Sequence, residues 1–260
     1  MRLKPSIGIF YLLLISCSLQ GPDDEYTKQL LGQLKEIKSE LQALKLETSQ
    51  LRSAVTEIHR QTVTTPTANP IVPEVLVEEV EIGGETPIQG APDAAIGIVE
   101  FSDYECPFCT RFYSQTLPEL KKQFIEPGKA RFAYRDYPLD FHQEAKRAAI
   151  VASCAGRQGQ YWVMHDRLFE HQRELGDDLY KKLSLELKLD EKVFTDCLKS
   201  PEQVERVNQE LAYAGKLGVS GTPTFFIGRI EGNKLVNPQR ITGAQPFSVL
   251  SHTIEGIQKQ

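Results

Sequence analysis

The stretch VEFSDYECPFCTRFY, Val99 to Tyr113, places two cysteines two residues apart, where an apolar run changes to a helical pattern. The apolar run from Ile96 to Phe101 is typical of a buried strand, and the residues from Cys106 to Ile125 predict a helix. Cys106 then stands at the N-terminus of that helix. Pro107 takes the first helical position, where its missing N–H costs nothing.

A metal site, a structural bridge and a reactive pair are the three interpretations of Cys106 and Cys109. A structural zinc site takes four ligands, and the sequence has no second C-x-x-C. A disulfide that closes so small a loop constrains the unfolded chain little. A helix N-terminus, in contrast, stabilises a thiolate, so the pKa of Cys106 should fall. Cys109, one turn further in and more buried, can then attack a mixed disulfide at Cys106. The pattern favours a redox pair and no metal.

The rest of the domain, residues 86–260, predicts the order β-α-β, a helical block, then β-β-α. Glu74 to Ile82 is either a short strand or linker. The other predicted elements are strands at Ala130–Tyr134, Thr224–Ile227 and Arg240–Thr242, helical patterns from His142 to Leu217, and a helix at Pro246–Ile257.

VEFSDYECPFC, this order of elements and GVSGTPTFF late in the chain resemble the DsbA-like thioredoxin-fold oxidoreductases over roughly Pro87 to Gln260. The resemblance implies an α/β fold of the thioredoxin type with a helical insertion at about 142–217. It also implies thiol:disulfide exchange through the Cys106–Cys109 pair, with no cofactor beyond that redox-active disulfide.

Site residues carry over by position from this resemblance. Cys106 matches the nucleophile and Cys109 the resolving cysteine. Pro223, after Thr222, matches a cis proline that faces the sulfurs. Glu100 matches a buried acid that assists proton transfer at the second cysteine, and its alternative is a surface glutamate. The implied substrate-binding residues are Pro107, Phe108 and Thr222.

Phe108 is a departure, because the strongest oxidant of the family has histidine between its cysteines. Since phenylalanine brings no charge, we expect a Cys106 pKa less depressed than in that oxidant. Tyr104, Phe108 and Phe112 are either an apolar rim for substrate or part of the core. Further along, Cys154 and Cys197 lie in helical patterns, and we expect them to form a structural disulfide like the second bridge of many relatives.

The N-terminus carries an export signal. Arg2 and Lys4 precede the short apolar run from Ile7 to Ile15, which is too short to span a bilayer. The run ends in LISC, which resembles the lipobox of bacterial lipoproteins and implies lipidation of Cys17. We therefore assign 1–16 to a signal peptide and 17–22 to a lipidated N-terminus; the alternative is a plain signal peptide. Lipidating Cys17 leaves two pairs among the five cysteines.

Residues 23–60 predict a coiled-coil helix, followed by a linker at 61–85. Glu40 and Glu47 fall at heptad position g and Lys45 and Arg52 at e, the charge pairs of a parallel dimer. The alternative is a helix docked on its own domain, and a trimer stays open. The heptad stripe consists of Leu30, Ile37, Leu44, Leu51 and Ile58 at d, with Leu34, Leu41, Thr48 and Val55 at a, of which Thr48 is the one polar exception.

A net charge of −5 argues against nucleic-acid binding. We therefore expect an exported, lipid-anchored oxidase of cysteine-containing exported proteins, on the periplasmic side and at the outer membrane if the source is Gram-negative. The resemblance suggests a quinone-linked membrane protein as the partner that reoxidises it. The alternatives are an isomerase or reductase made dimeric through residues 30–58, and a tethered structural lipoprotein.

Overall fold

The computed structural model describes residues 24–64, 77–83 and 87–259, with side chains in the first range described for 28–53. The predicted signal peptide, Cys17 and most of the predicted linker lie outside these residues. Helix α1, Asp24–Thr64, is continuous over 41 residues. It belongs to a different unit from the rest of the described chain, and each unit is treated by itself.

The second unit follows the predicted order, with one further strand in front. Its strands are β1 (Glu79–Glu81), β2 (Ile96–Ser102), β3 (Ala130–Asp136), β4 (Thr224–Glu231) and β5 (Lys234–Thr242). Its helices are α2 (Pro107–Gln115), α3 (Leu117–Leu120), α4 (Ala145–Gly156), α5 (Tyr161–Glu170), α6 (Asp177–Glu186), α7 (Glu191–Lys199), α8 (Pro201–Lys216) and α9 (Phe247–Gln258).

The five strands form one sheet in the order β1-β5-β4-β2-β3, in which only β2 and β3 are parallel. Every residue of β2 is buried, because both faces of the sheet are covered. Ile96 and Ile98 pack into the cluster that contains Cys106 and Cys109, and Val99 and Phe101 pack into the cluster on the other face. Since strand side chains alternate, Glu100 lies on the cysteine side.

The helix predicted as continuous from Cys106 to Ile125 is broken. Helix α2 ends at Gln115, α3 begins at Leu117, and a π-helical turn covers Lys121–Ile125. Pro118 explains the break, because it has no N–H to continue the helical ladder and restricts the residue before it.

Strand β5 is longer than predicted, since it begins at Lys234 rather than at Arg240. Pro238 interrupts the strand pattern in the sequence. The sheet accommodates it with Asn237 at φ +44° and a register shift opposite β4. A β-bulge thus keeps the longer strand paired.

Strand β1 forms in the stretch that the sequence left undecided. It pairs with β5 at the sheet edge. The Glu81 N–H donates to the Tyr213 hydroxyl at 2.7 Å, and the Arg135 guanidinium donates to the Glu81 carbonyl at 3.2 Å. Arg135 also forms a buried bidentate ion pair with Glu210 of α8, in which its Nε and Nη2 donate to the two carboxylate oxygens at 2.7 and 2.9 Å.

The helical insertion consists of α4 to α8, residues 145–216. Cys154 of α4 and Cys197 of α7 are disulfide-bonded in the structure, with Cα atoms 5.7 Å apart. The insertion is thereby closed on itself across a sequence separation of 43 residues.

Candidate active site

Cys106 is the N-cap of α2 and Pro107 its first residue. The Cys106 N–H donates to the Asp103 carbonyl, and its own carbonyl accepts from the Thr110 N–H, both at 3.1 Å. Both cysteines are free thiols in this structure. Cys106 keeps 3% of its surface exposed and Cys109 none. The sequence thus folds into one cysteine that keeps a small exposed surface at the helix start and one that is fully covered a turn further in.

The pKa values of the two thiols are shifted in opposite directions. A hydrogen bond from the Cys109 thiol, and smaller contributions from Thr222 and from the backbone of Phe108 and Cys109, lower the pKa of Cys106 to about 6 against the effect of burial. Burial raises the pKa of Cys109 well above its ordinary value. The helix N-terminus therefore contributes as predicted, but the neighbouring thiol contributes more. Near neutral pH the arrangement holds a thiolate at Cys106 and a protonated thiol at Cys109.

The loop before β4 faces Cys106. Its Thr222–Pro223 peptide bond is cis. The Cys106 thiol donates to the Thr222 carbonyl at a sulfur–oxygen distance of 3.6 Å. Hydrogen bonds at both ends hold this loop: the Tyr137 hydroxyl donates to the Val219 carbonyl at 3.0 Å, and the Gly243 N–H donates to the Pro223 carbonyl at 2.8 Å.

Glu100 is buried on the cysteine face of β2, with 2% of its surface exposed. The structure therefore places this side chain in the interior rather than on the surface. Burial raises the pKa of Glu100 to about 8, so the carboxyl is mostly protonated at neutral pH. On the cysteine face of the sheet, Glu100 can therefore donate or accept a proton near neutral pH.

Ser102, two residues after Glu100 on the same strand face, is a site residue that the sequence reasoning missed. Its buried hydroxyl lowers the pKa of both Glu100 and Cys109, so it lies within interaction range of both. The Ser102 hydroxyl itself has no hydrogen bond of ordinary geometry to any described residue. The period of two along a buried strand was the signal that could have identified it.

The aromatic residues around the pair divide into two groups. Phe108 is 54% exposed, with the Arg111 guanidinium 5.1 Å from its ring centre, and Pro107 is exposed beside it. Tyr104 and Phe112 are 1% exposed. Of these three aromatic residues, Phe108 is therefore the one available as an apolar contact for another chain, while Tyr104 and Phe112 belong to the core.

Two acids before Cys106 also escaped the sequence reasoning. Asp103 is buried, and its carboxylate accepts from the Glu105 and Leu139 N–H groups at 2.7 and 2.8 Å. The Glu105 carboxylate accepts from the N–H groups of Glu144 and Ala145 at 2.6 and 3.1 Å. Within the described ranges, no group of three or more His, Cys, Asp or Glu side chains is placed to hold a metal ion.

A family model described as thioredoxin matches residues 82–244. Among curated proteins, disulfide bond formation protein D of Bacillus subtilis is 28% identical over 181 residues, which cover 65% of this chain and 75% of that protein. The Na(+)/H(+) antiporter NhaA 3 of Salinispora tropica is 35% identical over 141 residues, 54% of this chain. The match spans only 21% of the antiporter's length. Of the helices in the described ranges, none combines the length and apolar character needed to cross a bilayer.

Among solved structures, α-DsbA1 of Wolbachia pipientis superposes with a TM-score of 0.58 at 24% identity, covering 67% of this chain and 91% of that one. This likeness shows a shared fold. The expected α/β architecture, a thioredoxin core with a helical insertion, is confirmed. The pairing of α1 as a coiled coil stays a prediction.

Proposed function

The chain belongs to the thioredoxin family, and from that premise we propose that it is an exported thiol:disulfide oxidoreductase that donates disulfides through the Cys106–Cys109 pair. The observation that carries the proposal is the contrast between the two thiols. The pKa of Cys106 is lowered to about 6 at the helix N-terminus, while burial raises the pKa of Cys109.

Disulfide donation begins with the pair oxidised. A substrate thiolate attacks the Cys106 sulfur, the Cys106–Cys109 bond breaks, and Cys109 leaves with the electron pair. Because burial disfavours a Cys109 thiolate, a proton must reach it, and the protonated Glu100 can supply one. A second substrate thiolate then attacks the substrate sulfur and releases Cys106 as a thiolate. Two electrons pass from the substrate dithiol to the pair.

The lowered pKa of Cys106 favours this direction. A low pKa makes Cys106 a good leaving group, and a stabilised thiolate lowers the free energy of the reduced form, which makes the oxidised form a stronger oxidant. A pKa of about 6 lies between those of thioredoxin, about 7, and DsbA, about 3.5. We therefore expect an oxidant of intermediate strength.

The substrates in this proposal are cysteine-containing exported proteins. Pro107 and the Phe108 ring are exposed next to Cys106, and the Thr222 carbonyl contacts its thiol, which suits an unfolded segment that carries apolar residues. The N-terminal signal and lipobox-like LISC support export and lipidation at Cys17. Metabolic labelling with a fatty acid, lost in Cys17→Ser, tests the anchor. A membrane redox partner completes the cycle.

Helix α1 supports self-association. Its heptad stripe is solvent-exposed along the helix, and position g glutamates complement position e basic residues in a parallel second copy. Light scattering of the purified protein should give a mass above 29.3 kDa, and Leu41→Asp should return it to the monomer. The exposed stripe residues are Leu30, Leu34, Ile37, Leu41, Leu44 and Leu51, each between 46% and 60%.

Self-association is also what favours the second candidate function, a dimeric isomerase or reductase. The decisive experiment compares oxidation of reduced ribonuclease with rescue of scrambled ribonuclease. A disulfide donor performs the first and not the second, and an isomerase performs the second. Cys106→Ala should abolish either activity. If it retained full biological activity, the protein would be a tethered structural lipoprotein instead.

A further inference from the structure

The three residues before Cys106 are all hydrogen-bonded to parts of the chain outside the β2–α2 connection. The Glu105 carboxylate binds the start of α4, and the Tyr104 carbonyl accepts from the Gln172 side chain at 3.1 Å. Asp103 accepts from the Leu139 N–H at 2.8 Å and lies 2.7 Å from the His142 ring nitrogen. The loop that carries the nucleophile is thus attached to the insertion and to the segment that leads into it.

Glu105 makes the most specific of these attachments. The first N–H groups of a helix have no partner within the helix, and α4 has no side-chain cap of its own from Glu144. The Glu105 carboxylate takes that place from 39 residues away in sequence. Glu144 in turn accepts from the Tyr180 hydroxyl of α6 at 3.0 Å. A continuous line of hydrogen bonds therefore joins Cys106's neighbour to two helices of the insertion.

We propose that Glu105 is a positioning residue, which uses the N-terminus of α4 to fix Cys106 against the Thr222–Pro223 loop. The Cys109 thiol and the backbone N–H groups of α2 that hydrogen-bond to Cys106 move together with it. The Thr222–Pro223 loop, in contrast, belongs to the start of β4. The contact between Cys106 and Thr222 therefore depends on an external anchor for the residues before the helix. This inference rests on the proposed function for its relevance to disulfide exchange. The positioning role itself does not, because the position of Cys106 can be measured without any substrate.

The test separates the charge of Glu105 from its hydrogen bonds. Glu105→Gln removes the charge and keeps an acceptor oxygen, whereas Glu105→Ala removes both. Asp190→Ala is the matched control, because Asp190 caps α7 in the same insertion by accepting from the Val193 N–H at 2.8 Å. It removes a helix cap of the insertion that is not attached to the loop before Cys106.

The measurement is the pH dependence of Cys106 alkylation by iodoacetamide in the reduced full-length protein, read by mass spectrometry. The midpoint should lie at least about half a pH unit higher in E105A than in E105Q, which makes alkylation at pH 5.5 about threefold slower. D190A should match the wild type. Equal midpoints in E105A and E105Q, or an equal change in D190A, would overturn the proposal.

Two further arms complete the experiment. If E105A does not fold, Glu105→Asp replaces it and is compared with the wild type, since both carry the charge; its carboxylate is one methylene too short, so its midpoint should lie above that of the wild type. In parallel, each oxidised protein is mixed with a reduced cysteine peptide, and E105A should oxidise it more slowly than E105Q. A wild type that oxidises no peptide would refute the proposed function, while the alkylation midpoints would still decide the role of Glu105.

Discussion

Replacing Glu100 by glutamine should remove part of the pH dependence of the free energy of unfolding. The folded protein raises the pKa of this carboxyl from 4.5 to about 8 through burial. Below pH 4.5 the carboxyl is protonated in both folded and unfolded chains, so it has no effect. Between pH 4.5 and 8 the unfolded chain ionises it and the folded protein does not. The free energy of unfolding therefore falls as the pH rises through this window.

The magnitude follows from about 1.36 kcal/mol per pKa unit. The wild type should lose about 3 kcal/mol from this carboxyl by pH 7 and about 4 kcal/mol by pH 8. Glu100→Gln keeps a neutral side chain of similar shape and escapes the loss. The variant should therefore be more stable than the wild type by about 3 kcal/mol at pH 7 and nearly equal to it at pH 4.

Urea unfolding of the reduced protein at several pH values, followed by the fluorescence of the single tryptophan, Trp162, measures this difference. Cys106 has the opposite effect, because its lowered pKa adds stability between about pH 6 and pH 9. That contribution is present in both proteins and cancels in the comparison. Glu255→Gln, at an exposed position of α9, is the control. A difference between wild type and E100Q that stayed constant from pH 4 to pH 8 would refute the reasoning.

Three further predictions concern the cysteines and the buried ion pair. Thiolate absorbance of the reduced protein should titrate with a midpoint near 6 for Cys106, and Cys109→Ala should raise it; an unchanged midpoint would show that the neighbouring thiol is not the main cause. Removing both Cys154 and Cys197 should cost about 4 kcal/mol in urea unfolding, from the loop they close, and a loss under about 1 kcal/mol would contradict this. Glu210→Gln should cost about 3–5 kcal/mol, because the buried guanidinium of its β3 partner loses its counter-charge; a thermal midpoint within two degrees of wild type would disagree.

The strand–helix junction around Cys106 could be predicted because its signals are local. The apolar run of β2, the proline at the first helical position and the two-residue cysteine spacing lie within 15 residues of sequence. Strand β1 could not be predicted in the same way. Three residues of alternating burial specify no strand until β5, more than 150 residues later, provides the hydrogen-bonding partner.

The roles of Asp103 and Glu105 were beyond sequence reasoning for a related reason. Acidic residues in a loop are most often solvated, and nothing beside them in the sequence indicates a partner. Their partners lie 36 to 40 residues away and consist largely of backbone N–H groups, which every residue except proline has. Cys109, by contrast, was identified from its two-residue spacing from Cys106, and Glu100 from its position in the resemblance to the DsbA-like oxidoreductases.

The fastening of β1 at the sheet edge determines where mechanical load enters the domain. A tether that pulls on the preceding chain first meets the β1–β5 ladder, the Glu79–Lys234 ion pair and the two hydrogen bonds at Glu81. Strands β5 and β4 separate that edge from β2, which leads to the cysteines. Tension on the N-terminal side would thus be shared among the edge ladder, Tyr213 of α8 and Arg135 of β3 before it reached the cysteines.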